Sequence, residues 1–427
     1  MRGRSARVRI GIGLAAALAA GLGLLAFATC AGARAAFRLD LAYPTETKPQ
    51  SKLWFARGRW WAWLPVEGGS SVWERGSAGW RRETALDAWL EQAPGFADVW
   101  SEADAVWAVL VGPRSLAFAQ LAFDPASDRY VARGTPILWP VAAPEGPEPS
   151  GLARRLAGFR SGVRTRAIES ATLARDAGGR WWIAWDEGGA IWCRASRDRD
   201  GAAWSEPFAL SAAVGPIGRD DIGAIFPAAG GIGAIWTDQN RDALYFRLHR
   251  DGSPPDAWEP VETLAQGEGR GGARLANDHL HATTAADGTV YLVAKTSRYR
   301  PGEPLLALRV RARDGSWSEL PYARYSRERT PSRPIAMLDA ARGRAELVHE
   351  SLDASLWNRH RIERVSLPLG ARGQPGAPLP APQTLLPETL DLRSPTSCKA
   401  PLPEGRDWLL LASDRFGNVY EALVAER

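Results

Sequence analysis

The side chains best suited to chemistry lie at the two ends of one short stretch, Asn277 to Ser297. Asp278 and His279 stand near its beginning, and Lys295 stands near its end. A carboxylate, an imidazole and an ammonium group held together can transfer protons and neutralise an anionic substrate. In uronate β-elimination, His279 would be the base, and Lys295 or Arg333 would neutralise the substrate carboxylate.

The residues between these ends predict a β-hairpin that brings the ends together. Residues 279–285 form a short strand, and residues 289–295 are β-branched and aromatic, as strands prefer. Asp287-Gly288 is a strong hairpin signal, because glycine accepts the positive φ that a type I′ turn needs. Since the strands are antiparallel, the acid and the imidazole should lie beside the lysine at one end of the hairpin.

Similar hairpins recur along the chain and predict repeated four-stranded units. Glycines precede the second strands of successive units, at positions 179, 231, 288, 343 and 405. The spacing of roughly 50 to 60 residues is close to that of kelch-type blades. The sequence therefore predicts an all-β fold, a single β-propeller of seven four-stranded blades, with six or eight blades as alternatives.

The first 35 residues predict an export signal or a membrane anchor. Several arginines precede an uncharged Gly/Ala/Leu run from Ile10 to Ala33, and Ala33-Arg34-Ala35 offers a cleavage site. The run is also long enough for an uncleaved anchor, and Cys30 offers a weaker lipoprotein site. We predict residues 1–35 as signal or anchor, 36–50 as tether and 51–427 as propeller. Each alternative places the propeller outside the cytoplasm, either secreted, periplasmic or anchored.

The net charge argues against nucleic acid as a partner, and the cysteines indicate neither a disulfide nor a zinc site. The net charge of +5 is matched by five arginines before Ala36, so the rest of the chain is formally neutral, which argues against nucleic-acid binding. Cys193 and Cys398 fall in distant units and predict buried thiols, without a disulfide or a zinc pattern. We predict a monomer that contacts a membrane only through its N-terminal segment.

Turns between the third and fourth strands resemble the Asp-boxes of sialidase-type propellers, also called BNR repeats. Ser196-Arg197-Asp198 with Gly201 and Trp204 comes closest, and Arg313 to Trp317 is an abbreviated version. This resemblance implies the propeller fold more than an activity. Trp204, Trp258 and Trp317 follow such turns, and we predict that they wedge between blades.

A second resemblance extends from about Trp54 to the C-terminus. The chain resembles a group of exported bacterial propellers that carry ordered motifs and have no assigned activity. The matching residues are Asp220-Asp221-Ile222, Asp278-His279, Lys295-Thr296-Ser297, Arg333-Pro334-Ile335 and, with an inserted cysteine, Ser397-Cys398-Lys399. The resemblance implies a seven-bladed exported fold.

Polar groups from several units are predicted to meet at one mouth of the channel, because first strands line the axis. The candidate ligand-binding and catalytic residues are Glu169, Asp220, Asp221, Asp278, His279, Lys295, Arg333 and Lys399. The chain has only four lysines against 49 arginines. Lysine at positions 295 and 399 therefore suggests a specific functional role instead of surface charge, with a structural ion pair as the alternative. No metal or other cofactor is predicted, although Ca²⁺ held by Asp221, Asp278 and backbone carbonyls is an alternative.

These residues support two classes of function. The first is a propeller that binds or processes a carbohydrate, or another polar small ligand, at the axial mouth. As an enzyme it would be a polysaccharide lyase using His279, or a glycoside hydrolase with Asp221 and Asp278 as the carboxylate pair. The second is a non-catalytic scaffold or adhesion module whose polar ring is an ion-pair network. An open mouth with perturbed carboxylates favours chemistry, and a closed channel with paired charges favours the scaffold.

Overall fold

The computed structural model describes residues 33–46, 48–141, 167–267, 274–353, 358–369, 379–399 and 405–424. The leader prediction, including Cys30, lies almost wholly outside these ranges. Within them, no helix combines the length and apolar composition needed to cross a bilayer.

Seven antiparallel sheets form a ring of blades, which confirms the predicted seven-bladed propeller. Blades 1 to 3 have the strands Leu53–Ala56, Arg59–Val66, Gly69–Gly76 and Gly79–Arg82; Phe96–Glu102, Ala105–Val111, Ser115–Asp124, Arg129–Ala132 and Ile137–Pro140; and Ala171–Arg175, Trp181–Glu187, Ala190–Ala195 and Phe208–Ala209.

Blades 4 to 7 continue the same meander. Their strands are Gly223–Ala228, Gly231–Asp238, Ala243–Arg250 and Glu262–Gln266; Leu280–Thr284, Val290–Lys295, Pro304–Arg311 and Trp317–Arg324; Arg329–Asp339, Arg344–Asp353, Arg359–Pro368 and Gln383–Leu390; and Arg393–Thr396, Trp408–Ser413 and Asn418–Val424, with Phe37–Arg38 as the outer strand. The helices described are short: the 3₁₀ segments Thr84–Leu86 and Leu210–Val214, and the α-helix Asp87–Leu90.

Tryptophans wedge adjacent blades together, as predicted. Trp204 of blade 3 packs against Phe118 of blade 2, with ring centroids 5.0 Å apart. Trp258 packs against Trp182 at 5.7 Å. In the same way, Trp317 reaches back to the preceding blade. Each ring therefore fills the gap between its own blade and the one before it. Cys193 and Cys398 are free and buried, which also confirms the prediction.

The hairpin of blade 5 pairs in the predicted register, but its turn is of another type. Leu280 faces Ala294, and Thr284 faces Val290. Only Gly288 of the turn has positive φ, at 86°, so the loop is a type I turn followed by a left-handed glycine and not a type I′ turn. A Cβ at this glycine would lie 2.8 Å from the Cα atom of Ala229 in blade 4. Glycine is therefore needed at position 288, both because φ is positive and because a side chain would clash with Ala229.

The N-terminal residues close the ring. Phe37 pairs with Val419, and Arg38 pairs with Asn418, so a strand from the start of the chain completes the C-terminal blade. The Phe37 ring also stacks on Trp73 of blade 1, with centroids 4.5 Å apart. The segment predicted as a tether, residues 36–50, thus contributes a strand to the propeller itself.

This closure predicts a stability cost for Phe37→Ala. Loss of the ring stacked on Trp73 should lower the free energy of unfolding by about 2 kcal/mol, measured by urea denaturation. Phe416→Ala is the control, because that ring is 52% exposed and its removal should cost less than about 0.5 kcal/mol. Equal losses for the two variants would contradict the closure.

Candidate functional site

A segment of the N-terminal chain crosses the predicted axial mouth and closes it. We call this segment, residues 45–46 and 48–52, the axial plug. Gln50 donates to the carbonyl oxygens of Ala171 in blade 3 and Phe96 in blade 2, at 2.8 and 3.3 Å. The carbonyl of Gln50 accepts from Thr396 of blade 7 at 3.3 Å. One residue of the plug thus bridges three blades.

Lys48 places an ammonium group among the acids of the mouth. Its Nζ forms an ion pair with Asp278 of blade 5 and a second with Glu169, just before blade 3, at 3.2 Å. The Lys48 and Asp278 side chains are each 13% exposed. Burial by itself lowers the pKa of Lys48, but the charges of Asp278 and Glu169 outweigh it and raise that pKa above its ordinary value. Lys48 is therefore charged at neutral pH.

Three carboxylates from neighbouring blades converge around this ammonium group. Oxygens of Glu169, Asp220 and Asp278 all lie within 4.8 Å of one another. This convergence from blades 3, 4 and 5 is what the sequence predicted for three of the candidates. The donor set would suit a divalent cation, but the ammonium of Lys48 already pairs with two of its members. The calcium alternative named Asp221, which does not belong to this group.

Asp221 serves the loop backbone instead of the mouth. Its carboxylate accepts from the backbone amides of Gly218 at 2.7 Å and Gln239 at 3.0 Å, and the residue is 1% exposed. Burial raises the pKa of this carboxyl group, although those hydrogen bonds by themselves would lower it. The structure brings Asp220, and not Asp221, together with Asp278. The proposed hydrolytic pair is therefore not assembled, because the Asp221 carboxylate is held by the backbone amides of its own loop and of Gln239.

His279 is held in one tautomer by its neighbours. Its Nδ1 lies 2.8 Å from a carboxylate oxygen of Asp278 and 2.6 Å from the amide oxygen of Asn277. Both are acceptors, so Nδ1 carries the proton and Nε2 is the atom with a free lone pair. Nε2 is buried and has no hydrogen-bond partner in the described part of the chain. Burial lowers the pKa of His279 to about 3 despite Asp278, so the ring is neutral.

The cations predicted beside His279 are already engaged. Lys295 lies next to His279 across the hairpin, as predicted, and donates to Ser332 at 3.0 Å. Arg333 forms an ion pair with Glu350 at 2.8 Å and a longer one with Glu46 of the plug at 3.9 Å. Its φ of 46° marks a bulge in the first strand of blade 6. Each of the two cations therefore already has a partner within the protein.

Lys399 does not belong to this mouth. The first strand of blade 7 is Arg393–Thr396, so Lys399 follows that strand instead of preceding it. Its Nζ forms an ion pair with Asp98 of blade 2 and donates to the carbonyl of Leu173 at 2.9 Å. The prediction that Lys399 opens blade 7 is wrong, because residues 393–396, which include a proline, are the inner strand.

The space left at the mouth is very small. A cavity of about 20 Å³ remains beside Lys48, Gln50 and Arg333. That volume holds about one water molecule. This cavity has no room for a sugar ring.

Sequence reasoning missed the plug, although composition carried a signal for it. All four lysines of the chain lie around the axis: Lys48, Lys52, Lys295 and Lys399. Lys52 is fully buried and donates to Gln50 at 3.0 Å and to the carbonyl of Ala97 at 3.3 Å. The scarcity of lysine that drew attention to Lys295 and Lys399 applied equally to the other two.

Comparison with known proteins yields structural likeness only. No protein-family profile and no curated protein matches the chain. Solved structures similar to it include the Hadza microbial sialidase Hz136, at a TM-score of 0.40 and 12% identity over 75% of this chain and 63% of that protein. The polysaccharide lyase Uly1 has a TM-score of 0.43 and 12% identity, with 93% of this chain and 94% of the lyase covered. An α-L-arabinanase of Penicillium chrysogenum has a TM-score of 0.42 and 12% identity, over 79% and 98%.

The ion pairs of Lys48 predict a large effect of Lys48→Met on stability. The substitution leaves Asp278 and Glu169 close together without their cation, and should lower the free energy of unfolding by about 3–5 kcal/mol in urea titrations. Arg57→Met is the matched control, because Arg57 and Asp104 form an ion pair with both side chains 47% exposed. The control should change stability far less, because solvent screens an exposed ion pair. Comparable effects of the two variants would contradict a structural role for Lys48.

Buried neutral histidines predict that the protein loses stability in mild acid. His281 accepts from the amide of Ala336 at Nδ1 and contacts Ser51 through Nε2, both at 3.3 Å. Burial lowers its pKa to about 3. Between that value and the ordinary pKa of about 6.5, the unfolded chain binds a proton that the folded protein does not, so stability falls as pH decreases.

The loss should be about 1.4 kcal/mol per pH unit for each such histidine. Urea titrations between pH 6.5 and pH 5 measure the loss of free energy of unfolding. The His281→Gln variant should lose less per pH unit, because its unfolded chain takes up one proton fewer. An unchanged slope in this variant would show that His281 titrates normally in the folded protein.

Proposed function

We propose that this chain is a non-catalytic β-propeller that works outside the cytoplasm as a rigid binding platform, with its axis closed by its own N-terminal segment. The observation that carries the proposal is the position of Lys48, whose ammonium pairs with Asp278 and Glu169 in the mouth. Asp278, which either kind of acid–base chemistry at this mouth would need, is one of the two carboxylates that this lysine neutralises. Export is inferred from the leader.

The carboxylate geometry alone would allow another interpretation. Oxygens of Asp220 and Asp278 within 4.8 Å approach the separation of about 5–5.5 Å seen in retaining glycoside hydrolases. Such enzymes need one carboxylic acid that keeps its proton at working pH. Burial would raise the pKa of Asp278, but His279 and Lys48 lower it well below the ordinary value. Asp278 is therefore not the protonated acid of such a pair, and the ammonium group of Lys48 lies beside it.

Carbohydrate is the ligand class that we expect for the platform. Glu169, Asp220 and Arg333 contribute both acceptors and donors at one face, and polyhydroxylated ligands use both kinds of group. The contact would involve the outer rim of the mouth, because the interior has no room for a ring.

One observation favours a second candidate, a polysaccharide lyase that is active only when the plug withdraws. Asp278 orients His279, and Nε2 of the neutral ring has a lone pair with no partner among the described residues. This is the arrangement that a base for abstraction of a proton α to a carboxylate requires. Withdrawal of Lys48 would bring a substrate within reach of that nitrogen.

A glycan array and a polysaccharide depolymerisation screen separate the two candidates. The wild-type protein is compared with Lys48→Ala, which weakens the plug, and with the same substitution combined with His279→Gln. Amine acetylation followed by peptide mass spectrometry of the wild-type protein reports whether Lys48 becomes accessible. Lyase activity is followed by the ultraviolet absorbance of the new carbon–carbon double bond.

The proposal expects glycan binding by the wild type, no cleavage by any variant, and slow acetylation of Lys48. Cleavage by Lys48→Ala that disappears with His279→Gln would establish the second candidate. Cleavage by the wild type would overturn the proposal, and a failure to bind any glycan would remove carbohydrate as the ligand class.

A further inference from the structure

The opposite end of the axial channel holds a larger cavity that the proposed function does not use. It has a volume of about 190 Å³ and lies where the first strands of blades 2 to 5 end, whereas the plug lies where they begin. We propose that this cavity, which we call the distal cavity, binds a small uncharged single-ring molecule carrying one hydrogen-bond acceptor. The proposal does not rest on the proposed function, although Asp98, which pairs with the lysine of this cavity, also accepts from the backbone amide of Ser51 in the plug at 2.8 Å.

The size of the distal cavity sets the size of the ligand. An apolar cavity of about 150 Å³ in a protein core is known to admit benzene. A volume of 190 Å³ therefore has room for one six-membered ring with a short substituent. The roughly 20 Å³ left at the plugged mouth has room for neither.

The walls of the distal cavity are mainly apolar. Trp100, Leu173, Ile225, Phe226, Pro227 and Ala282 supply most of the lining. Two polar neighbours are already bonded: the Thr284 hydroxyl donates to the carbonyl of Pro227 at 2.6 Å, and Glu102 accepts from the Trp100 indole at 2.7 Å. A sugar would leave several hydroxyl groups without partners against such walls, at a cost for each. The aromatic faces favour an aromatic or alicyclic ring instead.

Lys399 supplies the polar contact. Lys399 lines the distal cavity, and among the described residues its Nζ has two partners, the carboxylate of Asp98 and the carbonyl of Leu173. An ammonium group has three N–H donors, so one donor is left for a ligand. Because Asp98 already balances the charge of Lys399, an anionic ligand would bring an excess negative charge into a buried site. A neutral carbonyl oxygen fits this donor without that cost.

Binding of acetophenone, toluene, benzoate and glucose to the full-length protein tests the proposal by titration calorimetry and ligand-observed NMR. Acetophenone should bind roughly tenfold more tightly than toluene, which matches one added hydrogen bond. Benzoate and glucose should bind more weakly than acetophenone. Equal affinity for acetophenone and toluene, preference for glucose or benzoate, or no binding at millimolar concentration would each overturn it.

Two variants locate the site. Ala282→Phe fills the distal cavity and should weaken acetophenone binding at least tenfold, while Ala202→Phe, at an exposed position, should not. Lys399→Met combined with Asp98→Asn removes the donor without leaving a buried charge. This variant should bring the affinities for acetophenone and toluene to the same value while toluene binding persists. Retained binding in Ala282→Phe, or a retained acetophenone preference in the double variant, would contradict the assignment.

Discussion

The ion pairs of Lys48 with Asp278 and Glu169 are the constraint around which the axis is built. Seven first strands that meet at an axis bring several carboxylates and unpaired backbone groups close together. Without cations and donors these groups would repel one another or be buried without partners. The plug supplies both, through the ammonium of Lys48 and the amide of Gln50. The same segment continues from the strand that completes blade 7, so closing the ring and filling the axis depend on one stretch of chain.

The use of lysine at the axis is consistent with the shape of its charged group. A guanidinium group is a flat fork suited to surfaces and bidentate pairs, whereas an ammonium group is a compact donor of three hydrogen bonds. Arg333 reaches the mouth only from the bulge in its strand, with a φ of 46°. Lys52, in contrast, is fully buried between Gln50 and Ala97. A chain that otherwise prefers arginine thus keeps its four lysines for the axis.

The sequence predicted the parts of this structure that repeat. It did not predict the features that depend on the contacts of a single residue. Hairpin pairing in blade 5 and the wedging of Trp204 follow from local patterns that every blade shares. Asp220 faces the mouth and Asp221 does not, because the backbone amides of Gly218 and Gln239 donate to the Asp221 carboxylate. No periodicity in the sequence predicts which of the two carboxylates those amides bind. Lys399 was misplaced because the inner strand of blade 7 is short and irregular. The plug has no strand pattern at all, so only composition pointed to it.

The chemistry of the axial mouth is governed by the equilibrium of the plug and not by the dyad of Asp278 and His279 alone. Opening the plug breaks buried ion pairs, at a cost of about 3–5 kcal/mol. At that cost between roughly one molecule in 150 and one in 4,000 is open at any moment. A base with the correct tautomer at His279 would then show its intrinsic rate multiplied by this small fraction. In the function that we propose, the plug thus closes an arrangement whose side chains, taken by themselves, are those of an acid–base site.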